Sequence, residues 1–153
     1  MRRNLGFTLI ELMVVVTLVA LATAGVTLAL RDDGSTRLER EALRLSALIE
    51  SARAQSRTSG LPVVWRSRPQ GFEFVGLPPL RSGATSQISL SGPRLWLSTD
   101  TVAEVTLPPG ALSLVLGPEP LIAAQRLVLR QGDRRLTLAT DGLSPFAVVL
   151  ETP

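Results

Sequence analysis

The sequence predicts an α+β fold: a long N-terminal α-helix packed on a C-terminal antiparallel β domain, either a sandwich or a pair of sheets. Three observations carry this. The chain opens on an apolar run that reaches Leu30. A second stretch, Ser35 to Thr58, repeats its apolar residues at helical spacing. After Gly60 the period drops to two, and short strands follow one another to the C-terminus.

The first element is the apolar run. From Phe7 to Leu30 there are 24 residues and a single charge, Glu11. At ~1.5 Å per residue the run is ~36 Å long, enough to cross a ~30 Å hydrocarbon core with some tilt. Residues 1–6 form a short leader with two arginines, Arg2 and Arg3. The positive-inside rule then keeps Met1 in the cytoplasm and sends everything after Arg31 across the membrane.

Glu11 stands out. A carboxylate inside a membrane helix costs ~2.5–3.5 kcal/mol on insertion scales, so it needs a partner. A cut between Gly6 and Phe7 would create an α-amino group four residues before it. With an ordinary pKa of ~7.7, that amine is largely protonated at neutral pH. The natural partner of Glu11 is then such an N-terminus on a neighbouring copy or relative, where the two charges share their burial cost. Three readings compete. Ala22-Thr23-Ala24 fits a signal-peptidase site, although Glu11 interrupts the apolar region before it. A plain membrane anchor leaves Glu11 unexplained. A carboxylate so near the start could also snorkel to the interface.

The second element follows Arg31-Asp32-Asp33-Gly34. Leu38, Ala42, Leu45, Ile49 and Ala52 step by four, three, four and three, which is one helical face. Thr36 and Glu39 fit a capping box, and Gly60 with Pro62 fits a helix end. Glu39, Arg40, Glu41, Arg44, Glu50, Arg53 and Arg57 read as a solvated face. Whether this helix continues the first through Gly34 is left open.

The strands come next. Val63 and Trp65 alternate with Val64 and Arg66, and Phe72 and Phe74 flank Glu73, so a hairpin is expected around Ser67–Gly71. Gly76 to Thr85 reads as a loop containing Pro78 and Pro79. Further strands are expected at Gln87–Leu90, Arg94–Ser98, Val102–Leu107 and Ala111–Leu116. Gln125–Arg130 and Arg134–Thr140 should form a tight hairpin, and Phe146–Glu151 the last strand. Leu127, Leu129, Leu136 and Leu138 should face the core. Trp96, opposite Leu95 and Leu97 in the alternation, is expected to be half exposed. The resulting division is a leader (1–6), a transmembrane helix (7–30), a far-side helix (31–60) and a β domain (61–153).

Composition narrows the chemistry. The chain has no cysteine and no histidine. That removes disulfides, thiolate sites, the commonest zinc ligand and the usual general base, so no enzyme is expected. All the basic residues are arginines. Without Arg2, Arg3 and Glu11, 14 arginines face 12 acidic residues, so the high pI is weak evidence for a polyanion partner.

Gly6-Phe7-Thr8-Leu9-Ile10-Glu11-Leu12, behind a basic leader, resembles the processing motif of type IV pilins and pseudopilins. The resemblance covers about 25 residues without a gap. It implies cleavage after Gly6 by a prepilin peptidase, N-methylation of Phe7, and Glu11 as the assembly glutamate. It also implies the pilin plan of an N-terminal helix on a β domain. Within that superfamily the chain is most similar to the minor pseudopilin H of type II secretion, in the H/FimT group. The similarity rests on chain size, the Glu39–Ser59 helix, the Leu61-Pro62-Val63-Val64 entry and the Arg126–Thr140 hairpin.

That resemblance implies a structural subunit near the tip of a periplasmic pseudopilus. Its partners would be major and minor pseudopilins, the peptidase and an inner-membrane assembly platform. It would sit in the bacterial inner membrane as a single-pass protein with a periplasmic C-terminal domain. A type IV minor pilin, for pilus assembly or DNA uptake, is the alternative. No cofactor is expected. Calcium, known in the major pseudopilin, is not expected here, since Asp100, Glu104, Asp133 and Asp141 lack the spacing of a calcium loop. Arg126, Arg130, Arg134 and Arg135 surround the hairpin turn. Asp133 interrupts them and no aromatic is interleaved, so a solvated tip is expected rather than a nucleic-acid site.

Overall fold

The computed structural model describes the backbone of residues 8–77 and 90–149, and the side chains of 8–24, 36–77 and 90–149. The expected cleavage site Gly6-Phe7, most of the loop before Thr85, the strand at 87–89 and the end of the last strand lie outside the described residues. The chain forms two compact units, Met1–Ser35 and Thr36–Pro153. Among the described residues the fold is α+β, with an N-terminal helix and two antiparallel sheets.

The helix α1 (Leu9–Ser59) opens at Thr8. The Thr8 carbonyl accepts from the Glu11 and Leu12 N–H groups at 3.1 and 3.2 Å, and its hydroxyl accepts from Glu11 N–H at 3.4 Å. Thr8 is therefore the N-cap and Glu11 the third helical residue. Asp33 and Gly34 lie within α1. Their propensity cost, ~1 kcal/mol for the glycine, is too small to end the helix. Thr36 and Glu39 consequently lie inside α1, so the capping box expected of them has no helix start to cap. At the other end Gly60 takes φ 69° and its N–H donates to Ser56 O at 2.9 Å, the left-handed cap expected of it.

The second unit carries the sheets. One contains β1 (Val64–Arg68), β2 (Gly71–Val75), β3 (Arg94–Leu95) and β5 (Ser113–Val115), in the order β3-β2-β1-β5. The other contains β4 (Thr101–Leu107), β6 (Gln125–Gln131), β7 (Arg134–Thr140) and β8 (Ala147–Val149), in the order β4-β6-β7-β8. The two expected hairpins form. Trp65 pairs with Phe74 across β1 and β2, and Leu127 pairs with Leu138 across β6 and β7. Gly71 is dictated by close approach: a Cβ there would stand 1.9 Å from Arg94 O.

Leu38, Ala42, Leu45, Ile49 and Ala52 are all buried, as their spacing predicts. They share one core with Val63, just before β1, with Trp65, Phe72 and Phe74 of the first sheet and with Ala103, Val105, Leu127, Leu129 and Leu138 of the second. Leu136 is partly buried against it. Each fully buried Leu or Ile contributes ~1.5–3 kcal/mol. The expected strand over Arg94–Ser98 shrinks to two residues, and Trp96 is 6% exposed rather than half exposed. The alternation itself is obeyed, because Leu95 and Leu97 face outward at 71% and 56%. The inward face is selected by Phe72, whose ring centre lies 4.8 Å from that of Trp96.

Candidate functional site

Two groups of residues draw attention, one in each unit. In the first, Glu11 sits in the opening turn of α1. Its carboxylate has no hydrogen-bond or ion-pair partner among the described residues. The first turn is the favourable end of the helix dipole for a negative charge, worth ~0.3–1 kcal/mol at the surface. Around it Leu9, Ile10, Leu12, Met13, Val14, Val15, Val16, Leu18, Val19 and Leu21 are exposed, so apolar side chains project on every side. The two threonines in this run hide their hydroxyls in the helix: Thr17 donates to Met13 O at 2.7 Å, and Thr23 donates to Val19 O. The Thr8 cap is a feature the sequence reading missed. The signal was present, since Thr8 and Glu11 stand at the spacing of a capping box.

Among the described residues no helix is long and apolar enough to cross a membrane. The apolar run with described side chains stops at Ala24. Its 16 residues from Leu9 make ~24 Å of helix, short of a ~30 Å core.

In the second unit, two residues expected on a solvated face are instead buried. Glu41 is 1% exposed and Arg53 2%. Glu41 accepts from the Leu97 N–H and, at 2.9 Å, from Arg44 Nη1. Arg44 also donates to Leu95 O at 3.2 Å and lies 5.7 Å from the Phe72 ring centre. Arg53 reaches three carbonyls: Gly142 O at 2.7 Å, Pro120 O at 3.3 Å and Ser144 O at 3.4 Å. Glu50 accepts from Phe146 N–H at 3.0 Å, and Ser46 donates to Phe146 O. Glu41 and Arg53 leave the solvent because each meets backbone polar groups of the sheets and loops that need a partner. Together with Arg44 and Glu50 they fasten the helix to Leu95 and Leu97, at and after β3, and to the 141–146 loop.

The 141–146 loop is itself preformed. Asp141 Oδ1 accepts from Ser144 N–H at 2.7 Å and Leu143 N–H at 3.0 Å, the turn anticipated at Asp141-Gly142. The Ser144 N–H, and after it the Leu143 N–H, hold the Asp141 carboxyl below its ordinary pKa of 3.8. Gly142 has φ 97°, and a Cβ there would meet Ile122 O at 2.0 Å, so only glycine closes this turn.

The remaining candidates are dispersed. Among the described residues no three acidic groups stand close enough to hold a metal ion. Glu104 is instead 3.3 Å from Arg130. Arg126 and Arg130 lie on one face of β6 and are exposed, while the register sets Arg135 opposite Arg130 and Arg134 opposite Gln131.

Residues 1–27 match the family model described as the prokaryotic N-terminal methylation motif. No curated protein and no solved structure matches the chain. The matched motif supports a type IV pilin-like protein with a prepilin-like leader, N-terminal methylation and a membrane-anchored N-terminus.

Proposed function

We propose that this chain is a minor pseudopilin of type II secretion, a non-enzymatic structural subunit near the tip of a short periplasmic filament that drives export of folded proteins across the outer membrane. The observation that carries this reading is the methylation motif over residues 1–27, with Glu11 in the first turn of a helix whose apolar side chains face every direction. A helix apolar all round needs an apolar surrounding. The lipid bilayer provides it before assembly, and neighbouring helices provide it afterwards. Phe7 to Leu30 is the transmembrane segment, Gly6 the residue after which the leader is cut, and Phe7 the methylated N-terminus. Glu11 counters the charge of a neighbouring N-terminus in the filament. The β domain is periplasmic and meets other pseudopilins laterally, while prepilin peptidase and the inner-membrane platform act on the N-terminal segment.

Mass spectrometry of the protein from its native host tests the processing. A mature chain starting at methylated Phe7 is expected, and a start at Gly25 would establish the secreted reading instead. Assembly is tested by co-purification with other pseudopilins from membranes. Glu11→Ala and Glu11→Gln should both lose partners while retaining cleavage, since an unpaired buried charge costs ~3–5 kcal/mol. Equal recovery of partners with wild type and both variants rejects the role of the carboxylate.

A second reading, a type IV minor pilin for pilus assembly or DNA uptake, is favoured by the exposed Arg126 and Arg130 sharing one strand face. It requires duplex DNA binding that weakens steeply with salt. Absence of such binding at micromolar protein removes the uptake form of it.

A further inference from the structure

The outer edge of β5 carries an inference of its own, independent of the N-terminal segment. β5 pairs on one side with β1, Trp65 opposite Leu114, and the Leu116 N–H donates to Val63 O at 2.8 Å. Antiparallel alternation therefore turns the backbone groups of Leu114 and Leu116 toward β1, and those of Ser113 and Val115 toward the opposite edge. At Val115 that edge is closed. The Gln125 side-chain amide, 4% exposed, accepts from Val115 N–H and donates to Val115 O, both at 2.8 Å. At Ser113 it is open: neither its N–H nor its C=O has a partner among the described residues.

The open position faces a groove of about 380 Å³ lined by Pro108, Ala111, Leu121, Ile122 and Ala123, with Glu119 as its one charged residue. Leu121 is 61% exposed, and Leu112, beside Ser113, is 87% exposed. Glu119 has no ion-pair partner among the described residues. The edges at β4 and β3 differ. β4 is shielded by a register shift between Val105 and Leu107 and by Pro108 directly after it, and at β3 the Leu95 carbonyl is taken by Arg44.

We propose that this groove takes an extended apolar segment of a partner protein, added as a strand to β5 at Ser113, with a basic side chain of that segment opposite Glu119. A free donor and acceptor on one residue of a sheet edge are matched by an amide, as Gln125 matches Val115, and an extended backbone carries one at every residue where a small apolar ligand carries none. The apolar walls accept alternate side chains of such a strand. Gln125 fixes the register, because by occupying Val115 it leaves Ser113 as the single docking position.

The test uses the full chain in detergent micelles and a blocked hexapeptide of alternating threonine and valine with one central arginine. Its control is the same peptide N-methylated at the central backbone positions. Amide exchange at Ser113 is read by NMR. The free chain should exchange rapidly there, and saturating peptide should slow it ~10-fold or more, as a newly paired strand amide requires. The N-methylated peptide should have no effect. Glu119→Arg should weaken binding ~5-fold, the range of an exposed charge pair. Four results would overturn the proposal. They are slow exchange at Ser113 without peptide, equal binding of the N-methylated peptide, contacts at Ser113 from a second copy of the chain, and no change at Ser113 at millimolar peptide.

Discussion

The two parts of α1 make an instructive pair. In residues 9–24 large apolar side chains are exposed all round and the one carboxylate, Glu11, has no partner among the described residues. In residues 36–59 the large apolar side chains gather on one buried stripe, with Leu43 the exposed exception, and two charged residues, Glu41 and Arg53, are buried beside that stripe. One helical backbone thus serves two solvents. The first part exposes apolar side chains all round, and its charge meets no partner among the described residues. The second is shaped for its own sheets, so its charges find partners in its own loops. The difference separates the charges: Arg53 and Glu41 act within the fold, and Glu11 is the one that the proposed function assigns to association.

The comparison breaks most visibly at Arg53. Arg53→Ala strands three loop carbonyls and should cost ~3–5 kcal/mol, read as a lower urea midpoint of the full chain in micelles. Arg53→Lys should recover only part of this, because an ammonium cannot reproduce the planar fork. Next comes Glu41→Gln, which keeps an acceptor for the Leu97 N–H but loses the charge facing Arg44. A loss of ~1–2 kcal/mol in the same measurement is expected.

Thr8→Val removes the N-cap hydroxyl and should cost ~1 kcal/mol, confined to the first turn and visible as faster amide exchange there. The urea midpoint of the β domain should not move.

Acid acts through Asp141. Its folded pKa lies below the ordinary 3.8, so its contribution is fully present above that value and disappears as pH falls through the lower folded pKa. The acid limb of a stability profile should flatten in Asp141→Asn relative to wild type. The smallest effect is the sharpest discriminator. Glu11→Ala should leave the urea midpoint unchanged within ~0.5 kcal/mol, as for a surface change, while abolishing partner recovery. A large fall in the midpoint would make Glu11 a folding residue and dissolve the contrast.

Much of this was legible beforehand because it is written in local spacing. The stripe from Leu38 to Ala52, the hairpins around residues 69–70 and 132–133 and the turn at Asp141-Gly142 each depend on residues close together in sequence. Local spacing misleads where the fold bridges a distance in sequence. Glu41 looked solvated because its partners, Arg44 aside, lie at residue 97, and Arg53 because its acceptors lie at 120, 142 and 144. The alternation sets Trp96 opposite Leu95 and Leu97, but Phe72 decides which side is inside. Thr36 carried a capping signature that lost to the helix already running through it.

By itself, then, the sequence determined the helix and strand periods, the absence of cysteine and histidine chemistry and the N-terminal motif with its solitary carboxylate. These follow from residue type and short-range geometry, which do not wait for a fold. Only the tertiary structure decided which charges are internal, and that the outer edge of β5 is closed by Gln125 at Val115 and open at Ser113 among the described residues. Those depend on backbone groups brought together from distant segments, and a buried polar group is tolerated only where such a partner arrives.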